Sequence, residues 1–167
     1  MSIPGVVLTP IDRHPDGRGF FNEVFRAGAF SEELVQANHS NSAAGVVRGL
    51  HYHRYQADLW YVAGGIIRVG LADLRTRKDP PDTTVLEMSA GTPASLFIPP
   101  GVAHGFAALS DCDLIYWVTR EYDASDEFGV AWDDDRIAID WGIKEPIVSA
   151  RDRANAPLNW DVIPSFS

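Results

Sequence analysis

The chain has 167 residues, 46% of them hydrophobic and 22% charged. These proportions suit a single compact domain over residues 1–167 and exclude collagen-like, coiled-coil or largely disordered structure. A formal charge of −9 argues against nucleic acid and anionic membrane as partners, while a few arginines gathered in one pocket still suffice for a small anion. No stretch approaches the roughly 18 apolar residues of a membrane span and no secretory leader is apparent, so a cytoplasmic protein is expected.

Along the chain, short apolar or alternating runs broken by Gly, Pro, Asp or Asn predict strands rather than long helices. They fall at Gly5–Leu8 and Phe20–Phe25, followed by one short helix at Ser31–Val35, with Ser31 as N-cap and Glu32 and Glu33 in the first turn. Further strands are expected at Val46–His53, Leu59–Ala63, Ile66–Leu74, Thr84–Met88, Ser95–Ile98, Gly105–Ala108, Leu114–Val118 and Phe128–Ala131. So many short strands imply an all-β sandwich or barrel. Cys112 is the only cysteine, which excludes an internal disulfide and suits simple packing. The tail from Pro146 to Ser167 is rich in proline and aromatic residues and is expected to be irregular but packed against the body.

The stretch GLHYHRYQADLWYVAGG brings His51, His53 and Asp58 close together in sequence, and PPGVAHGF adds His104. Alternate residues of a strand share a face, so His51 and His53 would project together into a barrel. Three imidazoles and a carboxylate there would suit Fe(II), Mn, Ni or Zn. The same residues equally suit an active site in which histidine is a bare proton acceptor. The spacing resembles both motifs of the cupin superfamily, with Asp58 where glutamate is more usual.

Six blocks then decide the family. DGRGFFNEVF, QANHSNSAAGVVRGLHYH, VGLADLR, IPPGVAHGFAALSD, LIYWVTREYD and VSARDRANAPL resemble, in order, the dTDP-4-dehydrorhamnose 3,5-epimerases. The resemblance implies a cupin-type double-stranded β-helix, or jelly roll, with one or two short helices, usually dimeric through exchanged strands. It implies epimerisation at C3 and/or C5 of a nucleotide-linked 4-keto-6-deoxy sugar through an enolate, with no cofactor. Carried over by motif, His51 is the base, Asp152 its carboxylate partner and Tyr116 the proton donor on the opposite face. Arg18 and Arg48 contact diphosphate or sugar, and Phe21, Glu23, Asn38, Ser40, His104 and Tyr122 fall in pocket-lining blocks.

The sequence departs from the family at two places. Asp58 stands where the family has a lysine expected to stabilise the enolate oxygen, and His53 stands where glutamine is common. Two unit charges about 4 Å apart interact by about 4 kcal/mol at an effective dielectric near 20, so reversing the charge there matters. Asp58 either binds a cation with His51, His53 and His104, or turns away from the reaction, or marks a relative that binds sugar nucleotides without catalysis.

Overall fold

The computed structural model describes residues 3–29 and 32–166. In chain order its strands are β1 (Val7–Pro10), β2 (Arg13–Asp16), β3 (Gly19–Asn22), β4 (Gln36–Ser42), β5 (Val46–Tyr52), β6 (Asp58–Gly64), β7 (Ile66–Asp73), β8 (Thr83–Ser89), β9 (Ala94–Ile98), β10 (Val102–Ala108), β11 (Cys112–Val118), β12 (Phe128–Gly129) and β13 (Ile147–Val148). A 3₁₀ turn at Ala124–Asp126 and one helical turn, α1 (Ala150–Arg153), complete the elements among the described residues. One sheet has the order β1-β9-β6-β11-β4 and the other β12-β5-β10-β7-β8, with β13 added to β5; β2 and β3 form a separate ribbon. Every pairing is antiparallel except β13 with β5. This is the cupin-like jelly roll that the sequence leads one to expect.

Period-two side-chain alternation explains the two cores. On β10, Val102, Phe106 and Ala108 pack between the sheets with Val69, Leu71, Leu96, Ile98 and Leu114. Ala103 and Ala107, one position out of phase, face the other way and pack with Ala72, Leu74, Val130, Ile137, Trp141 and Leu158. The C-terminal segment thus covers the outside of the second sheet, so β10 is buried along its whole length. Each fully buried aliphatic side chain contributes about 1.5–3 kcal/mol. The tail is packed as expected, though it also supplies β13 and α1.

A bulge sets the phase that matters most for the site. In the β10–β5 pairing, Phe106 opposes Arg48 but His104 opposes His51, so β5 holds one extra residue between those pairs. Leu50 consequently joins the outer core. His51 and His53 turn toward the barrel interior with Arg48 instead of away from it, as a one-residue slip requires. Gly49 makes this possible: its φ is +123°, and a Cβ there would stand 2.7 Å from the Cα of Gly105.

Several elements differ from expectation. Glu32–Val35 is not helical, and Ser31 lies outside the described residues. The Val35 N–H donates to the Val118 carbonyl at 2.8 Å, so the chain already runs along β11 and has no room to coil. The strand expected at Phe20–Phe25 ends at Asn22 and pairs with β2. Strand β4, QANHSNS, has almost no apolar residue; it is held as a strand by β11, and tertiary pairing overrides its weak propensity.

Candidate active site

One end of the barrel opens into a cavity lined by side chains from both sheets. Arg48, His51 and His53 come from β5, Asp58 and Trp60 from β6, His104 and Phe106 from β10, Leu114, Tyr116 and Val118 from β11, and Gln36, Asn38 and Ser40 from β4. Tyr122, Asp123 and Glu127 close one side. Tyr116 sits in register between Asn38 and Trp60.

The floor of the cavity joins remote parts of the chain. His51 Nε2 lies 2.7 Å from Asp152 Oδ1, and the second carboxylate oxygen accepts the Gly49 N–H at 3.3 Å. Asp152 is fixed in turn by the Ser149 cap of α1, whose Oγ accepts the Asp152 N–H at 3.0 Å. Burial pushes the Asp152 carboxyl up, but the hydrogen bond and charge of His51, with the Gly49 and Ser149 contacts, hold it below its ordinary value. An ionised carboxylate can only accept, so Nε2 of His51 carries the hydrogen and Nδ1 keeps the lone pair.

Beside this pair lies a second cluster. His53 Nδ1 is 2.7 Å from the Asp126 carbonyl, and His104 Nδ1 is 3.0 Å from the Val102 carbonyl. Asp58 accepts from Gln56 Nε2 at 2.9 Å and Trp60 Nε1 at 3.1 Å. His104 Nε2 stands 3.8 Å from Asp58 Oδ2. Burial holds the His104 ring down to about 4, Asp58 opposing and His53 and His51 reinforcing the shift. Of the four sequence-predicted metal ligands, the structure groups His53, Asp58 and His104 with ligand atoms within 4.8 Å of one another. His51 is parted from them because Asp152 holds its ring.

Tyr116 is half-buried in the cavity; burial, then the carboxylates of Asp58 and Glu127, push its phenol above the ordinary value, with Arg48 opposing. Arg48 donates to Ser42 Oγ at 2.9 Å and to the Asn41 carbonyl at 3.1 Å. Among the described residues the buried Ser40 hydroxyl has no hydrogen-bond partner, and Asn38 accepts from Gln36 at 2.8 Å. Tyr122 is largely exposed at the rim.

Arg18, Phe21 and Glu23 are not brought to this cavity by their own chain. The Arg18 side chain is 91% exposed at the tip of the β2–β3 ribbon and pairs with Asp16. Glu23 pairs with Arg26, and Phe21 is 65% exposed. Among the cavity residues to which the sequence reading gave no role are Glu127 and Gln56. Glu127 pairs with Arg151 at 2.9 Å; burial raises its carboxyl, yet Arg151, Tyr122 and His51 hold it below the ordinary range. Gln56 orients Asp58. Gln56 lies in the same stretch as Asp58 without a role of its own there, Glu127 lies outside the six blocks, and only the fold brings out their contacts.

Fold and cavity together define a cupin-like barrel equipped for acid–base chemistry. Residues 1–159 match the family model for dTDP-4-dehydrorhamnose 3,5-epimerase, and the chain belongs to that family. It is 40% identical over 145 residues to the spore coat polysaccharide biosynthesis protein SpsL of Bacillus subtilis (strain 168), covering 83% of this chain and 96% of that protein. It is 37% identical over 169 residues to the dTDP-4-dehydrorhamnose 3,5-epimerase of Methanothermobacter thermautotrophicus, covering 94% and 91%. Among solved structures, the dTDP-6-deoxy-D-glucose-3,5-epimerase of Legionella pneumophila Philadelphia 1, in complex with dTDP-4-keto-L-rhamnose, superposes with a TM-score of 0.90 at 29% identity, covering 100% of this chain and 96% of that one.

Proposed function

We propose that the protein epimerises a nucleotide-linked 4-keto-6-deoxy sugar, preferably a dTDP sugar, at C3 and/or C5 through an enolate. The observation that carries this reading is the 2.7 Å contact between His51 and Asp152 on the floor of the cavity. His51 Nδ1 removes a proton beside the ketone. Asp152 holds the ring in the tautomer that leaves this nitrogen free and stabilises the imidazolium formed. Tyr116, still protonated well above neutrality, returns a proton to the opposite face, which inverts the carbon.

Arg48 keeps unused guanidinium donors, beyond those given to Ser42 and Asn41, for diphosphate or sugar oxygens. Asn38, Ser40, His104 and Tyr122 line the sugar and nucleotide positions. The exposed β2–β3 ribbon, with Arg18, Phe21 and Glu23, serves the site of a second copy in a homodimer. The proposed setting is the cytoplasm.

The test follows solvent deuterium entering C3 and C5 of dTDP-4-keto-6-deoxyglucose by NMR. Exchange with wild-type protein that is lost in His51→Ala supports the reading. Absence of exchange in the metal-loaded and metal-free wild type alike would overturn it.

A further inference from the structure

The proposed base leaves one requirement unmet: negative charge builds on the former ketone oxygen and needs an electrophile. The nearby cluster points to one. A carbonyl oxygen only accepts, so the contacts of Nδ1 in His53 with Asp126 and in His104 with Val102 assign the ring hydrogen to Nδ1 in both. Each Nε2 therefore presents a lone pair, and the two rings lie with centroids 5.5 Å apart. At 3.8 Å, Nε2 of His104 is too far from Asp58 for a hydrogen bond.

The Asp58 residue is 4% exposed, and among the described residues its only ion-pair partner within 4 Å is the ring of His104. A buried carboxylate facing two imidazole lone pairs is an electrostatically incomplete arrangement. The surroundings are those of metal ligands: each ring is oriented by a backbone carbonyl, and the carboxylate by Gln56 and Trp60. Asp126, whose carbonyl orients His53, is itself anchored by the N–H groups of Arg54, Tyr55 and Gln56. Ligands about 2.0–2.2 Å from an ion stand roughly 3.0–3.5 Å apart, and small side-chain rotations contract the observed span of 4.8 Å to that value.

We infer that His53 Nε2, Asp58 and His104 Nε2 bind one divalent first-row transition ion, such as Zn²⁺, with its open coordination positions facing the cavity. Two imidazoles and one carboxylate suit this class of ion. His51 is outside the ligand set, so the ion and the base occupy the cavity together. The ion-binding site stands on this geometry alone; its use as the electrophile at the ketone oxygen rests on the epimerase reading.

The experiment strips the full-length protein with chelator, then titrates it with Co²⁺ and Zn²⁺, following visible d–d absorption, bound metal per chain, and circular dichroism as a check of folding. One ion per chain is expected in wild type and in His51→Asn. Affinity should fall about 100-fold or more in His53→Gln and in Asp58→Asn. His53 is only half-buried, so His53→Gln carries the test if Asp58→Asn does not fold. No binding at micromolar metal, or binding lost in His51→Asn and kept in His53→Gln, would overturn the site.

Deuterium exchange on stripped and reloaded protein separates the two claims. Exchange at least tenfold slower without metal supports the electrophile. Equal exchange in both forms overturns that role and leaves the ion site standing, whereas a bound ion with no exchange in either form overturns the epimerase reading alone.

Discussion

His51 and Asp152 are 101 positions apart in the chain and 2.7 Å apart in space, and the contact depends on three local devices. The bulge in β5 turns His51 inward, the Gly49 N–H holds the carboxylate, and the Ser149 cap fixes α1. Asp152→Asn keeps one acceptor oxygen and the size of the side chain but removes the charge that stabilises the imidazolium. Exchange at the carbon beside the ketone should fall about 10²–10⁴-fold in protein that keeps its native circular dichroism spectrum. A rate within threefold of wild type would remove Asp152 from the catalytic pair.

Tyr116→Phe should separate proton removal from inversion. Without the phenol, His51 as the proposed base should still remove the proton and return a solvent deuteron to the face it came from. Deuterium should therefore enter the substrate while inverted product falls about 100-fold or more. Since burial and the neighbouring carboxylates raise the phenol, wild-type Tyr116 should remain a donor at neutral pH and above. Inversion by Tyr116→Phe at the wild-type rate, read as the ratio of inverted product to exchange, would assign the donor elsewhere.

Much of this molecule is legible in its sequence, for a physical reason. Strands such as β7 and β10 are apolar because both faces are covered, and they announce themselves. Strand β4 does not, since one face lines a polar cavity and the other meets solvent. The histidines of β5 read as a cluster, but their division between Asp152 and the Asp58 group is decided by the bulge and by α1, which no local spacing encodes. Arg18 illustrates the reverse case. Its motif is plain in the sequence, yet it lies outside the cavity of its own chain.

Acid should destabilise the fold through two buried carboxylates. Asp73 is raised by burial but held below its ordinary value overall by hydrogen bonds and charge from Arg75; Asp152 is likewise lowered overall. A carboxyl whose folded pKa is depressed contributes stability that is complete above its unfolded pKa and is lost as pH falls through the folded value. The urea midpoint should therefore fall as pH is taken from about 5 to below the unfolded carboxyl value of about 3.9. Asp73→Asn should show a shallower fall than wild type. An identical pH dependence in the two proteins would rule out the Asp73–Arg75 contribution.

Gly49 is the residue on which the phase of β5 turns. A Cβ would meet the Gly105 Cα at 2.7 Å and the His104 carbonyl at 2.9 Å, in a backbone conformation with φ of +123°. Left-handed strain and backbone overpacking act together, so Gly49→Ala should cost about 3 kcal/mol or more. In a chain of this size that lowers the melting temperature by roughly 6–12 °C. Thermal unfolding checks it directly, and an unchanged melting temperature would show that the β5–β10 approach is not tight.

The ribbon bearing Arg18 provides the test of the dimer. Its side chain is 91% exposed, and the proposed substrate contact would be made at the cavity of another copy. His51→Ala lacks the proposed base and Arg18→Ala lacks the proposed phosphate contact, and each alone should have little activity. When the two variants are unfolded together, refolded and mixed, a hybrid dimer with exchanged ribbons holds one cavity with both wild-type residues and one with neither. Random pairing makes about half the dimers hybrid, with one working site of two, so about one quarter of wild-type exchange should return. If Arg18 acted within its own chain, every cavity would lack one of the two residues and mixing would restore nothing.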